Sequence, residues 1–234
     1  MATVALRAAA RRLRRVVFAA AAIAVSAHSA VLGPALQAAS QSAHQPSLSQ
    51  QRFMERFVAA AVERTHHVVR YDSAYVRIPY PGGDVPASTG VCTDEVIRAY
   101  RAVGIDLQKE VHEDMASHSA AYPRKWANGA RGASVLTDSN IDHRRVQNLM
   151  AFFARHGLTL PLSSAARDYS PGDLVTWNLG GGITHIGIVV DQKSPQSGRY
   201  LIVHNIGQGP QMEDVLFNWK IIGHYRYFGE RPAE

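Results

Sequence analysis

One cysteine and eleven histidines are the groups in this 234-residue chain best suited to acyl transfer. Cys92 stands where the Gly- and Pro-rich loop from Tyr80 to Gly90 runs into a segment striped with Val96, Ile97, Tyr100 and Val103. That spacing predicts a helix opening at Cys92, with Gly104 as the left-handed residue just past its end. A thiol at a helix N-terminus feels the positive end of the macrodipole, which favours the thiolate. Free first-turn N–H groups can also receive a developing oxyanion. Asp94 works against the thiolate if it is close, so a cationic partner is required. Cysteine is often buried as a simple apolar residue, and on its own Cys92 reads first as structural.

His185 supplies the partner. It lies in the predicted strand Thr184–Val190, and a period of two puts His185, Gly187 and Val189 on one face. Glycine at 187 leaves open space beside the imidazole for a helix end or a substrate. The next predicted strand, Tyr200–His204, ends in a second histidine. Adjacent antiparallel strands would bring His204 beside His185, where it can orient the first ring by a hydrogen bond. Asn205 competes for that role but should face the other way. The run Asn140-Ile141-Asp142-His143-Arg144-Arg145 offers two guanidinium forks for a substrate carboxylate; it also reads as a helix start with solvated arginines.

Stepping outward, the elements that must hold these groups are legible from periodicity. Helices are predicted over Gln51–Thr65 with Ser49 as N-cap, over Cys92–Val103, from Asp106 to Met115, and over Asp142–His156. Tyr71–Pro79 reads as extended and Ser117–Asn140 as irregular. Strands are predicted at Leu174–Trp177, Thr184–Val190, Tyr200–His204, Val215–Leu216 and His224–Tyr227, separated by Gly- and Ser-rich turns. Helices first and a strand meander second predict an α+β domain, N-terminal helices packed on a C-terminal antiparallel sheet.

The formal charge of +6 is concentrated at the N-terminus, where Arg7, Arg11, Arg12, Arg14 and Arg15 precede the first acidic residue. Removing those five from 25 basic residues leaves 20 against 19 acidic, which takes away the case for nucleic-acid binding. The arginines are followed by the apolar run Val16–Ala27, the order of a secretory signal. Residues 1–30 are therefore expected to be a signal peptide or signal anchor. Residues 31–50, rich in Ala, Ser and Gln, are expected to be a disordered linker, and 51–234 the catalytic domain. Export to the cell envelope or periplasm follows, with membrane contact only through the N-terminal segment where it stays uncleaved. His112 and His118 invite a metal site, but their spacing matches no ligand motif and puts them on different helix faces, so neither metal nor cofactor is expected.

Three ordered blocks give the chain a family likeness. Tyr80-Pro81-Gly82-Gly83 and Gly90-Val91-Cys92, then Pro171-Gly172-Asp173-Leu174-Val175 with His185-Ile186-Gly187-Ile188, then Leu201-Ile202-Val203-His204 resemble the NlpC/P60-like superfamily of cell-wall cysteine peptidases, whose core is papain-like. The stretch Tyr71 to Tyr227 is more closely similar to the uncharacterised bacterial DUF1287 family. The superfamily resemblance implies Cys92 as nucleophile, His185 as base, His204 as orienting residue and Tyr80 at the border of the oxyanion site. Asp94, Arg144 and Arg145 complete the expected substrate-binding set. The chain departs from the superfamily pattern in two places, reading Val91-Cys92-Thr93-Asp94 around the nucleophile and carrying a long insert from Gly104 to Pro161. The expected activity is hydrolysis of amide bonds in peptidoglycan, as a stem-peptide endopeptidase or amidase. An amidase or acyltransferase on another amide or a lipid ester, and a non-catalytic envelope binding module on the same fold, are the alternatives.

Overall fold

A computed structural model describes residues 46–123 and 137–229. Among them are four α-helices: α1 (Leu48–Arg64), α2 (Cys92–Ala102), α3 (Leu107–Ser117) and α4 (Val146–His156). A two-residue pair, β1 (Arg70–Tyr71) and β2 (Thr89–Gly90), runs parallel beside the start of α2. Six further strands follow: β3 (Leu158–Thr159), β4 (Leu174–Asn178), β5 (Thr184–Lys193), β6 (Tyr200–Asn205), β7 (Pro210–Glu213) and β8 (Lys220–Arg226). They form one antiparallel sheet in the order β3-β8-β4-β5-β6-β7.

Local chemistry sets the helix ends. Ser47 caps α1, its hydroxyl accepting the Gln50 N–H while the Gln50 side chain accepts the Ser47 N–H. The cap lies two residues before Ser49, so α1 takes in residues that the linker was expected to hold. Val91 has no side chain able to cap α2. The Asp94 carboxylate does so from inside the first turn, accepting the Val91 N–H at 2.7 Å. Gly104 ends α2 at φ +94, as its position predicted. The helix expected from Asp142 is interrupted: Asp142–Arg144 forms a 3₁₀ turn, Arg145 is extended, and α4 begins at Val146.

Packing divides the sheet into two unequal faces. Leu174, Ile186, Ile188, Val190 and Val203 point toward the helices and meet Phe57, Val96, Ile97, Tyr100 and Phe153 in the main core. Phe57 and Tyr100 stack with ring centres 4.2 Å apart. Each such fully buried side chain is worth about 1.5–3 kcal/mol. Val175, Trp177, Val189 and Ile202 face the other way and are covered by Tyr169, Val215 and Leu216. The apolar pair Val215–Leu216, expected as a strand, is therefore a lid on this second core. The paired strand is the more polar Pro210–Glu213 before it.

The α+β class and the helices-on-antiparallel-sheet arrangement agree with the sequence pattern. The expected signal segment, residues 31–45 of the linker and residues 124–136 of the irregular stretch lie outside the described residues. No described helix is long and apolar enough to cross a membrane.

Candidate active site

The loop before α2 is tied to the helix by hydrogen bonds. Arg98, from the second turn of α2, donates to the Asp84 carboxylate at 2.9 Å and to the Thr89 carbonyl at 2.9 Å. Thr89 and Gly90 then pair with Arg70 and Tyr71, so the chain enters Cys92 clamped from both sides. Cys92 itself is buried, with 5% of its surface exposed. The backbone N–H groups of Ile186, of Thr93 and of Cys92 itself favour its ionised form. The thiol packs in the main core with Ile186 and Ile188 of β5.

The expected thiolate is not the ground state of this site. Burial pushes the Cys92 thiol up to about 12, the Asp94 charge adds to the rise, and the three N–H groups only partly oppose it. Desolvation outweighs the helix dipole because the sulfur lies inside the core.

His185 and His204 come together as the strand register predicts. His185 Nε2 lies 2.8 Å from His204 Nδ1. Gly187 makes this contact possible: a Cβ there would come within 2.6 Å of Ile202 and 3.2 Å of the His204 Cβ. The space the glycine frees is filled by His204 and Ile202, a use different from the helix end or substrate expected from the sequence. The indoles of Trp177 and Trp219 wall the His185 ring at 5.8 and 6.1 Å. Burial, with a smaller contribution from His204, lowers His185 to about 3. Burial also lowers His204, against the opposing pull of Glu213. Both imidazoles are therefore neutral at pH 7.

No hydrogen bond joins Cys92 to His185 among the described residues. The Nδ1 of His185 has no hydrogen-bond partner there either, so one nitrogen of a buried, oriented ring is left available.

The remaining expected residues are placed differently. Asp94 and Arg144 form a bidentate ion pair at 2.8 and 2.9 Å, both side chains almost wholly buried. The guanidinium fork expected to meet a substrate carboxylate meets Asp94 instead, and Arg144 braces the first turn of α2. Arg145 is half-buried; burial lowers its pKa while the charges of Asp142 and Asp138 oppose the shift. Tyr80 donates to Glu113 of α3 at 3.1 Å, with its ring edge-on to His112. Tyr71, 40% exposed, lies in the β1–β2 pair opposite Gly90, two residues before Cys92. Burial raises its hydroxyl, and the Cys92 and Asp94 charges add to that rise. The order Tyr-loop-Cys points to Tyr80; the parallel pairing of two short strands brings Tyr71 opposite Gly90.

Glu213 was also missed. Its carboxylate lies 2.9 Å from His204 Nε2 and extends the histidine pair to the surface. His112 and His118, considered as metal ligands, are taken by Asp142 and Asp114 respectively. Among the described residues, no group of three or more His, Cys, Asp or Glu is arranged to hold a metal ion.

A family model described as a domain of unknown function, DUF1287, matches residues 58–227. The chain is also 55% identical over 158 residues to the uncharacterized protein YijF of Escherichia coli (strain K12), which covers 68% of this chain and 74% of that protein. The family match runs from α1 to the residue after β8 and encloses Cys92, His185, His204 and Glu213. On both grounds the chain belongs to the DUF1287 family.

Proposed function

We propose that this protein is an exported cysteine hydrolase with a papain-like, NlpC-type core, and that it cleaves peptide amide bonds of cell-wall peptidoglycan. The observation that carries the reading is the free Nδ1 of His185, a neutral buried ring oriented through Nε2 by His204, on the strand that also seats the Cys92 thiol. In this reading the site rests as neutral thiol and neutral imidazole. Substrate entering between them brings the groups into register; hydrogen bonds of active sites often tighten only at that stage.

As the Cys92 sulfur attacks the amide carbonyl, its proton passes to His185 Nδ1. The carbonyl oxygen becomes an oxyanion beside the first-turn N–H groups of α2. His185 then gives its proton to the leaving amine as the C–N bond breaks, leaving a thioester. Water, deprotonated by His185, cleaves the thioester and restores the thiol. The Arg-rich, apolar N-terminus supports delivery to the envelope, where this substrate lies.

Incubation of the purified protein with sacculi, followed by mass spectrometry of released fragments, tests the proposal. Wild type should release peptides or stem fragments and Cys92→Ala should release none. Identical output from the two ends the hydrolase reading. The deep burial of the thiol favours a second reading, a non-catalytic envelope binding module. Sacculus binding that survives Cys92→Ser, with no fragments released by wild type, would select it.

A further inference from the structure

The direction in which His185 faces its proton is set outside the histidine pair. His204 Nε2 lies 2.9 Å from Glu213 Oε2, and His204 Nδ1 lies 2.8 Å from His185 Nε2. A carboxylate oxygen accepts, so His204 carries its proton on Nε2 and presents a lone pair at Nδ1. That lone pair can be satisfied only by an N–H, which places the His185 proton on Nε2. The Nδ1 of His185 is then a bare lone pair, the form a base requires. With the opposite tautomer of His204, His185 would have to accept at Nε2 and hold its proton on Nδ1, where it could take nothing from a thiol.

We propose that Glu213 is a positioning residue that fixes, through two imidazoles in series, the tautomer of the catalytic base. The fold places it for this task. Ile202 pairs with Glu213 and His204 with Gln211, so Glu213 is the diagonal neighbour of His204 on the same sheet face. Its side chain is about half exposed, at 48%, which lets the carboxylate remain hydrated while it contacts a ring with no exposed surface. Competing partners are limited: Trp177 spends its indole N–H on the Leu216 carbonyl at 2.9 Å. Because both rings are neutral at pH 7, which nitrogen holds the proton is the property that matters.

The role in catalysis rests on the hydrolase reading, but the tautomers do not. Long-range ¹H–¹⁵N correlation spectra of the ¹⁵N-histidine-labelled protein read them directly, with His185→Asn and His204→Asn used to assign the two rings. The wild type should show both rings protonated at Nε2. Glu213→Leu should raise the Nδ1–H population of both rings together, and Glu213→Asp should hold the wild-type pattern. Fragment release from sacculi should fall roughly 10- to 100-fold in Glu213→Leu, the usual scale for losing a group that orients a functional imidazole, and should recover in Glu213→Asp. A wild-type His185 protonated at Nδ1 overturns the proposal without any variant. So does a folded Glu213→Leu protein whose two tautomers are unchanged. Spectra as expected from a protein that cleaves nothing uphold the tautomer assignment and refute the hydrolase reading.

Discussion

Two histidines on neighbouring parts of one sheet, His185 and His224, are both buried in networks that contain a carboxylate, yet they end in opposite states. His224 Nδ1 lies 3.0 Å from the Pro161 carbonyl and its Nε2 lies 2.9 Å from Asp173, whose other oxygen takes Arg226 at 2.7 Å. Tyr169 stacks on the same ring at 4.3 Å. Both nitrogens are spent, so the ring ties the Pro161 segment to β4 and β8. His185 spends one nitrogen on another imidazole and keeps the other. Burial and a nearby carboxylate are not enough for a base, which also needs an oriented ring with a nitrogen left over.

The contrast breaks first if removing the free nitrogen costs nothing. His185→Asn should lower fragment release from sacculi by roughly 10²–10⁴-fold, the range for a lost general base. His224→Asn should leave the rate per folded molecule nearly unchanged. Equal losses in the two variants would mean that both histidines are structural.

The structural side should show in stability. Asp173→Ala removes the buried partner of His224 and Arg226 and should cost about 3–5 kcal/mol in urea unfolding. Arg144→Ala should cost a similar amount by leaving Asp94 charged and alone under the mouth of α2. A loss near that of a surface ion pair would place either network in water.

Acid should sharpen the comparison further. Burial holds His185 and His143 near 3 and lowers His204. Below the ordinary histidine value of about 6.5 the unfolded chain therefore binds more protons than the folded one. Stability from this source is intact above about pH 6.5 and is lost as the pH falls toward about 3. Urea midpoints across that window should decline, and His185→Asn should decline less steeply.

The smallest effect separates the two tyrosines. Tyr71→Phe should slow fragment release, by less than the roughly 10²-fold lower bound for a principal oxyanion donor. Tyr80→Phe, which removes an exposed hydrogen bond to Glu113, should leave the rate unchanged and stability within about 0.5 kcal/mol. The reverse ranking would restore Tyr80 to the site.

Much of the frame was legible because it depends on short-range periodicity. Three- and four-residue spacing located α2 and its start at Cys92, and alternation put His185 and His204 on one face before any register was known. The edge strand Pro210–Glu213 was not legible. Its polar, half-exposed residues carry no apolar signal, whereas Val215–Leu216 carry a strong one for a different reason: hydrophobicity reports burial, not pairing. Glu213 was lost with its strand. The break before α4 was hidden as well, since Asp142 accepts the Asp138 N–H and binds His112, contacts that no helical pattern encodes.

By itself the sequence determined which residues could react, a thiol at a helix start and an imidazole two places before a glycine, because local spacing dictates helices, strands and their faces. The tertiary structure alone decided what those residues are chemically. Asp94 found Arg144 fifty positions away, the core closed over the sulfur, and a half-exposed carboxylate reached a buried imidazole. Desolvation and hydrogen-bond partnership are properties of segments packed together, and no single segment contains them.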